Sequence, residues 1–322
     1  MSEESKTTSP VDKVWDVVMV GAGPASLSSA IYTSREDLST LIIEKGVIGG
    51  LAAITEHIDN YPGFTDGVKG EKLSTELEGQ AKRFGTEFML DEVQSIREED
   101  GLRVLKTYTG DIRARAVLIG TGSDYKKLKV PGEEEFYGRG VHYCATCDGA
   151  FYRDKKLVVV GSGNSSAQES LFLTRFATEI EILIRGDHWK ASEILIKEVE
   201  EHPKIKVRFN TSTKEIIGKD NKVTKVLAHD KKADKDVEID TDGVFVFVGL
   251  IPNTGFLKDT GVELDEFGFL KTDSDLKTGV NGVFAAGDVR SGATMQIASA
   301  SGEGATAAMK IREFLEDKEV VW

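Results

Sequence analysis

Short apolar runs, most of them closed by glycine or an acid, punctuate this chain. Trp15–Val20 leads into Gly21-Ala22-Gly23-Pro24-Ala25-Ser26 and then a helical stretch from Leu27 to about Arg35. Lys156–Val160 leads into Gly161-Ser162-Gly163-Asn164-Ser165-Ser166 and a helix through about Phe176. Ala116–Ile119 ends in Gly120-Thr121-Gly122, Gly243–Gly249 ends in Leu250-Ile251-Pro252-Asn253, and Gly282–Gly287 ends in Asp288. Runs that are apolar throughout, without alternation, are the pattern of strands buried on both faces of a parallel sheet. Phe209–Asp240 alternates instead and is rich in Lys and Asp. That pattern predicts a peripheral β-meander with exposed turns. The duplicated strand, glycine turn and helix is the one internal repeat.

In such a unit the glycines let the backbone approach a pyrophosphate, and the helix N-terminus meets its charge. One glycine turn is also what an ordinary tight turn looks like; two, each after an apolar strand, point to dinucleotide binding. Ser26 and Ser166 occupy the third small position, where close helix packing is needed. The fold expected is α/β, with two Rossmann-like three-layer nucleotide-binding domains, the second inserted into the first. The first domain is expected over residues 14–124 and again over 249–322, because Gly287-Asp288 returns to it. The second is expected over 125–248. Residues 1–13 are polar, lack the apolar core of a signal peptide and are expected to form a flexible tail.

The two units differ in what they should bind. Leu41–Glu44 reads as the second strand of the first unit and ends in an acid, 23 residues after Gly21. A carboxylate there accepts hydrogen bonds from ribose hydroxyls, so this site suits FAD. The same count from Gly161 lands on Ile184, with Arg185, His188 and Lys190 following. No acid stands at that position, and these cations suit a 2′-phosphate, which makes NADPH the better candidate. A solvated strand-to-helix loop would carry Arg185 and Lys190 equally well.

The only two cysteines stand together as Cys144-Ala145-Thr146-Cys147, followed by Asp148. Two thiols at this spacing close a small ring, so one exchange reaction transfers two electrons, and an adjacent acid can move the proton. In a chain without other cysteines the motif reads as redox-active. Half of a zinc site is the alternative, but zinc takes four ligands and only His142 lies close in sequence; His57, His188, His202 and His229 are scattered. With 41 Lys and Arg against 54 Asp and Glu, the net charge is −13, which argues against a nucleic-acid surface. No apolar run approaches the roughly 18 residues of a membrane span. A reducible dithiol without structural disulfides fits a cytoplasmic setting.

Taken in order, the motifs GAGPAS, EKGVIGGLA, NYPGF, GTG, CATCD, GSGNSS, VFVGLIPNT and VFAAGDVRSGATMQIASASGEG make a chain that resembles the low-molecular-weight thioredoxin reductases, from about Val14 to Leu315. The resemblance implies a homodimer in which electrons pass from NADPH to FAD, to the disulfide, and on to thioredoxin. It also implies an NADPH domain that rotates between two orientations. By the same resemblance Cys147 is the flavin-side thiol, Cys144 attacks thioredoxin, and Asp148 is the acid–base group. Carried across by motif, the FAD contacts are Gly21, Gly23, Pro24, Ala25, Glu44, Lys45, Gly50, Leu51, Asn60, Val93, Thr121, Gly122, Gly287, Asp288, Met295, Gln296 and Ile297. The NADPH contacts are Gly161, Gly163, Asn164, Ser165, Arg185, His188 and Lys190.

The chain departs from the family pattern in three places. Ile184-Arg185-Gly186 replaces a His-Arg-Arg run, Ser166 replaces an alanine, and Met295-Gln296 replaces Arg-Gln. Readings that keep the dithiol but change the donor to NADH, ferredoxin or a reduced deazaflavin remain alongside, as does a flavoprotein redox sensor. Asp148 is open to a second reading as a turn residue.

Overall fold

A computed structural model describes residues 9–55 and 57–319, and the side chains through residue 316. The tail expected over residues 1–13 lies outside the described residues as far as residue 8. Pro10–Asp12 forms a single 3-10 turn, and the carbonyl of Pro10 accepts the Trp15 indole N–H at 3.0 Å.

In chain order, the first stretch contains β1 (Val14–Val20), α1 (Pro24–Arg35), β2 (Thr40–Glu44), α2 (Gly70–Arg83) and β3 (Glu87–Leu90). It continues with β4 (Ser95–Glu99), β5 (Leu102–Lys106), β6 (Asp111–Ile119) and β7 (Ser123–Tyr125). There follow β8 (Val141–His142), α3 (Ala145–Asp148), β9 (Lys156–Val160), α4 (Asn164–Leu173), β10 (Glu179–Leu183), α5 (Glu193–Glu200) and β11 (Ile205–Arg208). Then come β12 (Thr211–Lys219), β13 (Lys222–Asp230), β14 (Lys235–Asp240), β15 (Gly243–Val246), β16 (Leu250–Pro252), β17 (Val283–Ala285) and α6 (Ile297–Glu319). Two compact units result: one holds the chain up to residue 124 and again from 251, and the other holds residues 125–250. The chain passes between them twice, and the two passages pair as strands β7 and β16.

In the first unit the sheet runs β3-β2-β1-β6-β5-β4, with β17 also on β6. The strands from β3 to β6, and β17, are parallel; β4 and β5 are antiparallel. Strand alternation divides β1 between two cores. Val17 and Met19 pack with α1 and α6 residues such as Leu27, Ala307 and Ile311, while Val18 and Val20 face Ile43, Leu105 and Ile119 on the other side. Both faces are covered, which is why the sequence of β1 is apolar without alternation. β6 begins five residues before the apolar run that marks it, because Asp111–Arg115 alternates. That half pairs with antiparallel β5 and has one exposed face.

The second unit repeats the plan with order β11-β10-β9-β15-β8, parallel throughout. Val158, Val160, Val244 and Val246 pack against the antiparallel β12-β13-β14 meander, and Leu157, Val159 and Phe245 face the helices. Together the two units give the α/β, doubly Rossmann-like fold expected. β15 is shorter than its apolar run: it stops at Val246, and the chain turns at Gly249 (φ +113°).

Helices α1 and α6 cross almost backbone to backbone at Gly304. A Cβ there would lie 2.1 Å from the carbonyl oxygen of Ala25, whereas at Gly302, two residues earlier, it would meet nothing within 4 Å. Gly304→Ala is therefore expected to destabilise the first unit by about 1–3 kcal/mol through overpacking. Gly302→Ala should be neutral or mildly stabilising through helix propensity. Denaturant midpoints of the two variants check this.

Candidate active site

The glycine turn after β1 is forced by a neighbour. Gly21 has φ +90°, and a Cβ on it would sit 2.8 Å from the carbonyl oxygen of Gly120 at the end of β6. Gly23 then caps α1, with Pro24, which has no N–H, and Ala25 in its first turn and no side-chain cap on this helix end. Glu44, closing β2, accepts Ala22 N–H at 2.7 Å on one carboxylate oxygen and Gly46 N–H at 2.7 Å on the other. Each oxygen keeps a further acceptor site, directed at the mouth of the glycine turn, for a ribose hydroxyl. Gly49 N–H reaches Ala22 O, and Gly50 and Leu51 form a 3-10 turn beside Gly23.

Thr121 Oγ1 donates to Asn253 O at 2.8 Å, and Asn253 Nδ2 donates back to Thr121 O. Gly122 (φ +62°) carries the chain out of the turn, and its carbonyl accepts Asn253 N–H. Asn60 Nδ2 donates to Gln296 Oε1 at 3.0 Å, which ties the Asn60 turn to Met295 (φ +57°), Gln296 and Ile297 at the start of α6. Val93 is buried in the core beside Ile43. Lys45 stands apart: its ammonium pairs with Glu92 at 3.2 Å on the surface.

Asp288, at the end of β17, is half-buried and has no hydrogen-bond partner among the described residues. Burial, reinforced by the like charge of Glu303, pushes its carboxyl up to about 6. Glu303 is itself held by Gly287 N–H (2.7 Å) and by Arg290 (2.6 and 2.9 Å). Arg290 and Glu303 both lie inside the motif Val283–Gly304, but the motif gives neither a role; their pairing is visible only in the fold. An unpartnered carboxyl next to Gly287, which packs against Ala25 at the head of α1, fits a polyhydroxyl dinucleotide such as FAD.

The second turn reproduces the first. β9 and β10 are in the register of β1 and β2, so Val160 and Leu183 stand where Val20 and Ile43 stand, and Gly161 N–H donates to Leu183 O as Gly21 N–H does to Ile43 O. A Cβ on Gly161 would lie 2.4 Å from Phe247 O. Gly163 caps α4, Ser165 is exposed, and Asn164 Oδ1 accepts Ser192 N–H at 2.8 Å while Lys190 N–H reaches Ser162 O. These contacts fold the loop after β10 over the glycine turn. The position equivalent to Glu44 is Ile184, buried in the core.

Arg185 and Lys190 are exposed, with no side-chain partner among the described residues, as a phosphate site requires. His188 is different. Its Nδ1 lies 2.6 Å from Asp187, an acid that the spacing argument passes over, and His188 holds the Asp187 carboxyl below its usual range. Of the three basic residues expected here, Arg185 and Lys190 are free and His188 is engaged with a carboxylate.

Cys144 and Cys147 are joined, with Cα atoms 5.3 Å apart, and both are half-buried. Cys144 caps α3: its sulfur accepts Cys147 N–H at 3.2 Å. Tyr143 Oη donates to Glu133 at 2.8 Å, and Glu133 also accepts Leu128 and Lys129 N–H, which anchors the strand entering the motif. Behind the turn, Glu169 of α4 accepts the Ala145 N–H. Its carboxyl is pushed up by burial against that bond, and Oε2 has no partner. Asp148 faces His142, considered above as a zinc ligand: the two lie 3.2 Å apart, and the other ring nitrogen of His142 meets the Tyr152 hydroxyl at 2.7 Å.

This architecture has known counterparts. Residues 15–304 match the pyridine nucleotide-disulphide oxidoreductase family. The chain is 40% identical over 306 residues to a thioredoxin reductase of Bacillus subtilis, covering 95% of this chain and 96% of that one. A thioredoxin reductase of Treponema pallidum is 38% identical, covering 94% and 97%. Among solved structures, thioredoxin reductase from Streptococcus pyogenes superposes with a TM-score of 0.90 at 38% identity, covering 94% of this chain and 99% of that one. The enzyme from Giardia duodenalis gives 0.90 at 31%, with the same coverage. The chain belongs to the pyridine nucleotide-disulphide oxidoreductases and, within them, to the thioredoxin reductase family.

Asp288 supplies a test on the stripped protein. A carboxyl raised from 3.8 to about 6 contributes stability that is present below its unfolded value and is lost as pH rises through about 6. Asp288→Asn should therefore stabilise nucleotide-free protein at alkaline pH by on the order of 2 kcal/mol, a gain that vanishes toward pH ~4. The same variant should bind FAD more weakly. Urea melts across pH, with FAD titration, check both.

Proposed function

We propose that this protein is a thioredoxin reductase: an FAD-dependent enzyme that uses NADPH to reduce the disulfide of a thioredoxin-like protein through Cys144 and Cys147. The observation that carries the reading is the joined pair Cys144–Cys147, half-buried at the head of a one-turn helix, in a chain holding two glycine-turn nucleotide units. Residues 14–124 and 249–322 are the part that holds FAD, and 125–248 the part that holds NADPH and the disulfide. FAD supplies the two-electron relay between nicotinamide and disulfide.

On the protein side, the glycine turn at Gly21 and Gly23 binds the pyrophosphate, Glu44 the adenosine ribose, and Asp288 the ribityl hydroxyls. Arg185 and Lys190 bind the 2′-phosphate of NADPH, with Asp187 opposing them. When two electrons open the Cys144–Cys147 bond, Asp148 delivers the proton to the Cys147 sulfur. The Cys144 sulfur accepts the Cys147 N–H at the helix cap, a bond that strengthens when that sulfur is a thiolate. The Cys144 thiolate attacks the partner's disulfide and forms a mixed disulfide; Cys147 then attacks Cys144, re-forms the pair and releases the partner dithiol. The partner is a thioredoxin-like protein and the assembly a homodimer, both supported by the family likeness. Among the described residues no helix is long and apolar enough to cross a membrane. A pair that must be reducible, in a chain with no other cysteine, supports a cytoplasmic setting.

Purified protein is expected to be yellow and to reduce thioredoxin with NADPH. Cys144→Ser should show a long-wavelength absorption from the Cys147 thiolate against the flavin, and Cys147→Ser should not. A colourless protein that takes up no FAD would defeat the reading, and the reverse pattern in the two variants would exchange the roles of the cysteines.

The donor is tested separately. Each charge-assisted contact to the 2′-phosphate is worth about 1.5–3 kcal/mol, so two fully engaged contacts favour NADPH over NADH by roughly 10²-fold or more. Arg185→Ala should lose most of that preference, and Asp187→Asn should lower the KM for NADPH. Stopped-flow flavin reduction measures both; reduction by ferredoxin or a reduced deazaflavin, but by neither nicotinamide, would contradict the NADPH assignment.

A further inference from the structure

Beside the disulfide, behind Asp148, lies a polar chain that none of the motifs names. His142 closes β8, and its side chain is only 7% exposed. Its ring is stacked on Phe245 (5.2 Å between centroids) and edged by Tyr152 (5.3 Å), and Tyr152 in turn stands edge-on to Phe245. Nδ1 is 3.2 Å from Asp148 Oδ2, and Nε2 is 2.7 Å from Tyr152 Oη. A phenyl ring would fill this aromatic clamp without burying two polar nitrogens. The imidazole offsets its desolvation only through these two contacts.

Hydrogen-bond chemistry orders the chain. A carboxylate can only accept, so Nδ1 carries the proton; a neutral imidazole then leaves Nε2 as an acceptor, and Tyr152 must donate to it. Burial, together with the charges of Asp148 and Asp242, raises the Tyr152 phenol, which keeps its proton. Protons therefore point one way, from Tyr152 O–H to His142 Nε2 and from His142 Nδ1–H to Asp148. The titratable groups around this imidazole are Asp148 on α3, Tyr152 in the turn after it, Asp242 before β15, and Tyr137 in the loop before β8. Glu169 of α4 lies behind α3, bonded to Ala145.

We infer that His142, held in its Nδ1-protonated form by the Asp148 carboxylate while Tyr152 donates to Nε2, is a positioning residue that aims that carboxylate as it passes a solvent proton to Cys147. The inference rests on the disulfide-exchange reading above. In the step itself a reductant thiolate attacks the Cys144 sulfur, the S–S bond breaks, its electron pair leaves on Cys147, and a solvent proton passed through Asp148 converts that thiolate to a thiol. The Nδ1–H of His142 holds the Asp148 carboxylate in place before and after the transfer.

The test uses dithiothreitol, which needs no nucleotide and no thioredoxin, and it has a readout on the ring itself. Side-chain 15N spectra of the FAD-loaded protein are expected to show His142 neutral and protonated on Nδ1. Tyr152→Phe, which keeps the aromatic clamp, should leave the proton on Nδ1 and shift the Nε2 resonance toward that of an acceptor without a donor. His142→Phe should slow opening of the Cys144–Cys147 bond by dithiothreitol roughly tenfold, a part of the range for a positioned acid–base group. His142→Asn, whose amide can donate toward Asp148, should recover most of that rate. An Nε2-protonated ring in the parent protein, an unchanged Nε2 resonance in Tyr152→Phe, or Phe and Asn variants of equal rate would each overturn the inference. If NADPH fails to drive turnover while these half-reaction results hold, the functional reading falls and this one stands.

Discussion

Everything chemical in this protein depends on how closely two backbones pass at the mouth of each parallel sheet. Gly21 lies against Gly120 O and Gly161 against Phe247 O, both at distances that exclude any Cβ. That contact places the first residues of α1 and α4 directly above the ends of β1 and β9, with their free amides pointing outward. It also fixes the next strand: β2 and β10 deliver their last residues to the same spot in the same register. What differs is the side chain delivered. Glu44 is clamped by two amides, while Ile184 is swallowed by the core and leaves the loop cations to define the site.

The redox pair exploits a different economy. Cys144 and Cys147 occupy a helix too short to be stable alone, so the fold braces it from outside. Tyr143 is held by Glu133, Ala145 by Glu169, and Asp148 by His142. Rigid flanks around a half-exposed sulfur pair allow exchange to proceed without refolding the turn. Three of these braces involve acids near a centre that becomes negative when reduced, which favours giving electrons up over keeping them.

Much of this was legible in the chain. The two glycine turns, the flanking strands, the meander and the inserted second Rossmann unit follow from runs and spacings that reflect burial on two faces. α2 is also legible, through Leu73, Leu77 and Ala81 at helical spacing, but a motif-led reading passes over it. β4 and β5 are harder, because these short antiparallel strands mix charged and apolar residues and lack a bounded run. In the site, contacts made by sequence neighbours of a motif were accessible, and those made across the fold were not. Glu303 reaches Gly287 from the next helix, and Tyr152 reaches His142 around the whole of α3. Asp187 was visible but outside the expected spacing, and its pairing with His188 needed coordinates.

Electron counting tests the central claim most directly. Oxidised protein titrated anaerobically with NADPH should accept two hydride equivalents per chain, one for FAD and one for the Cys144–Cys147 bond. The double variant Cys144→Ser, Cys147→Ser should accept one. A parent protein that stops after a single equivalent with its disulfide intact, or that accepts none, would contradict the account.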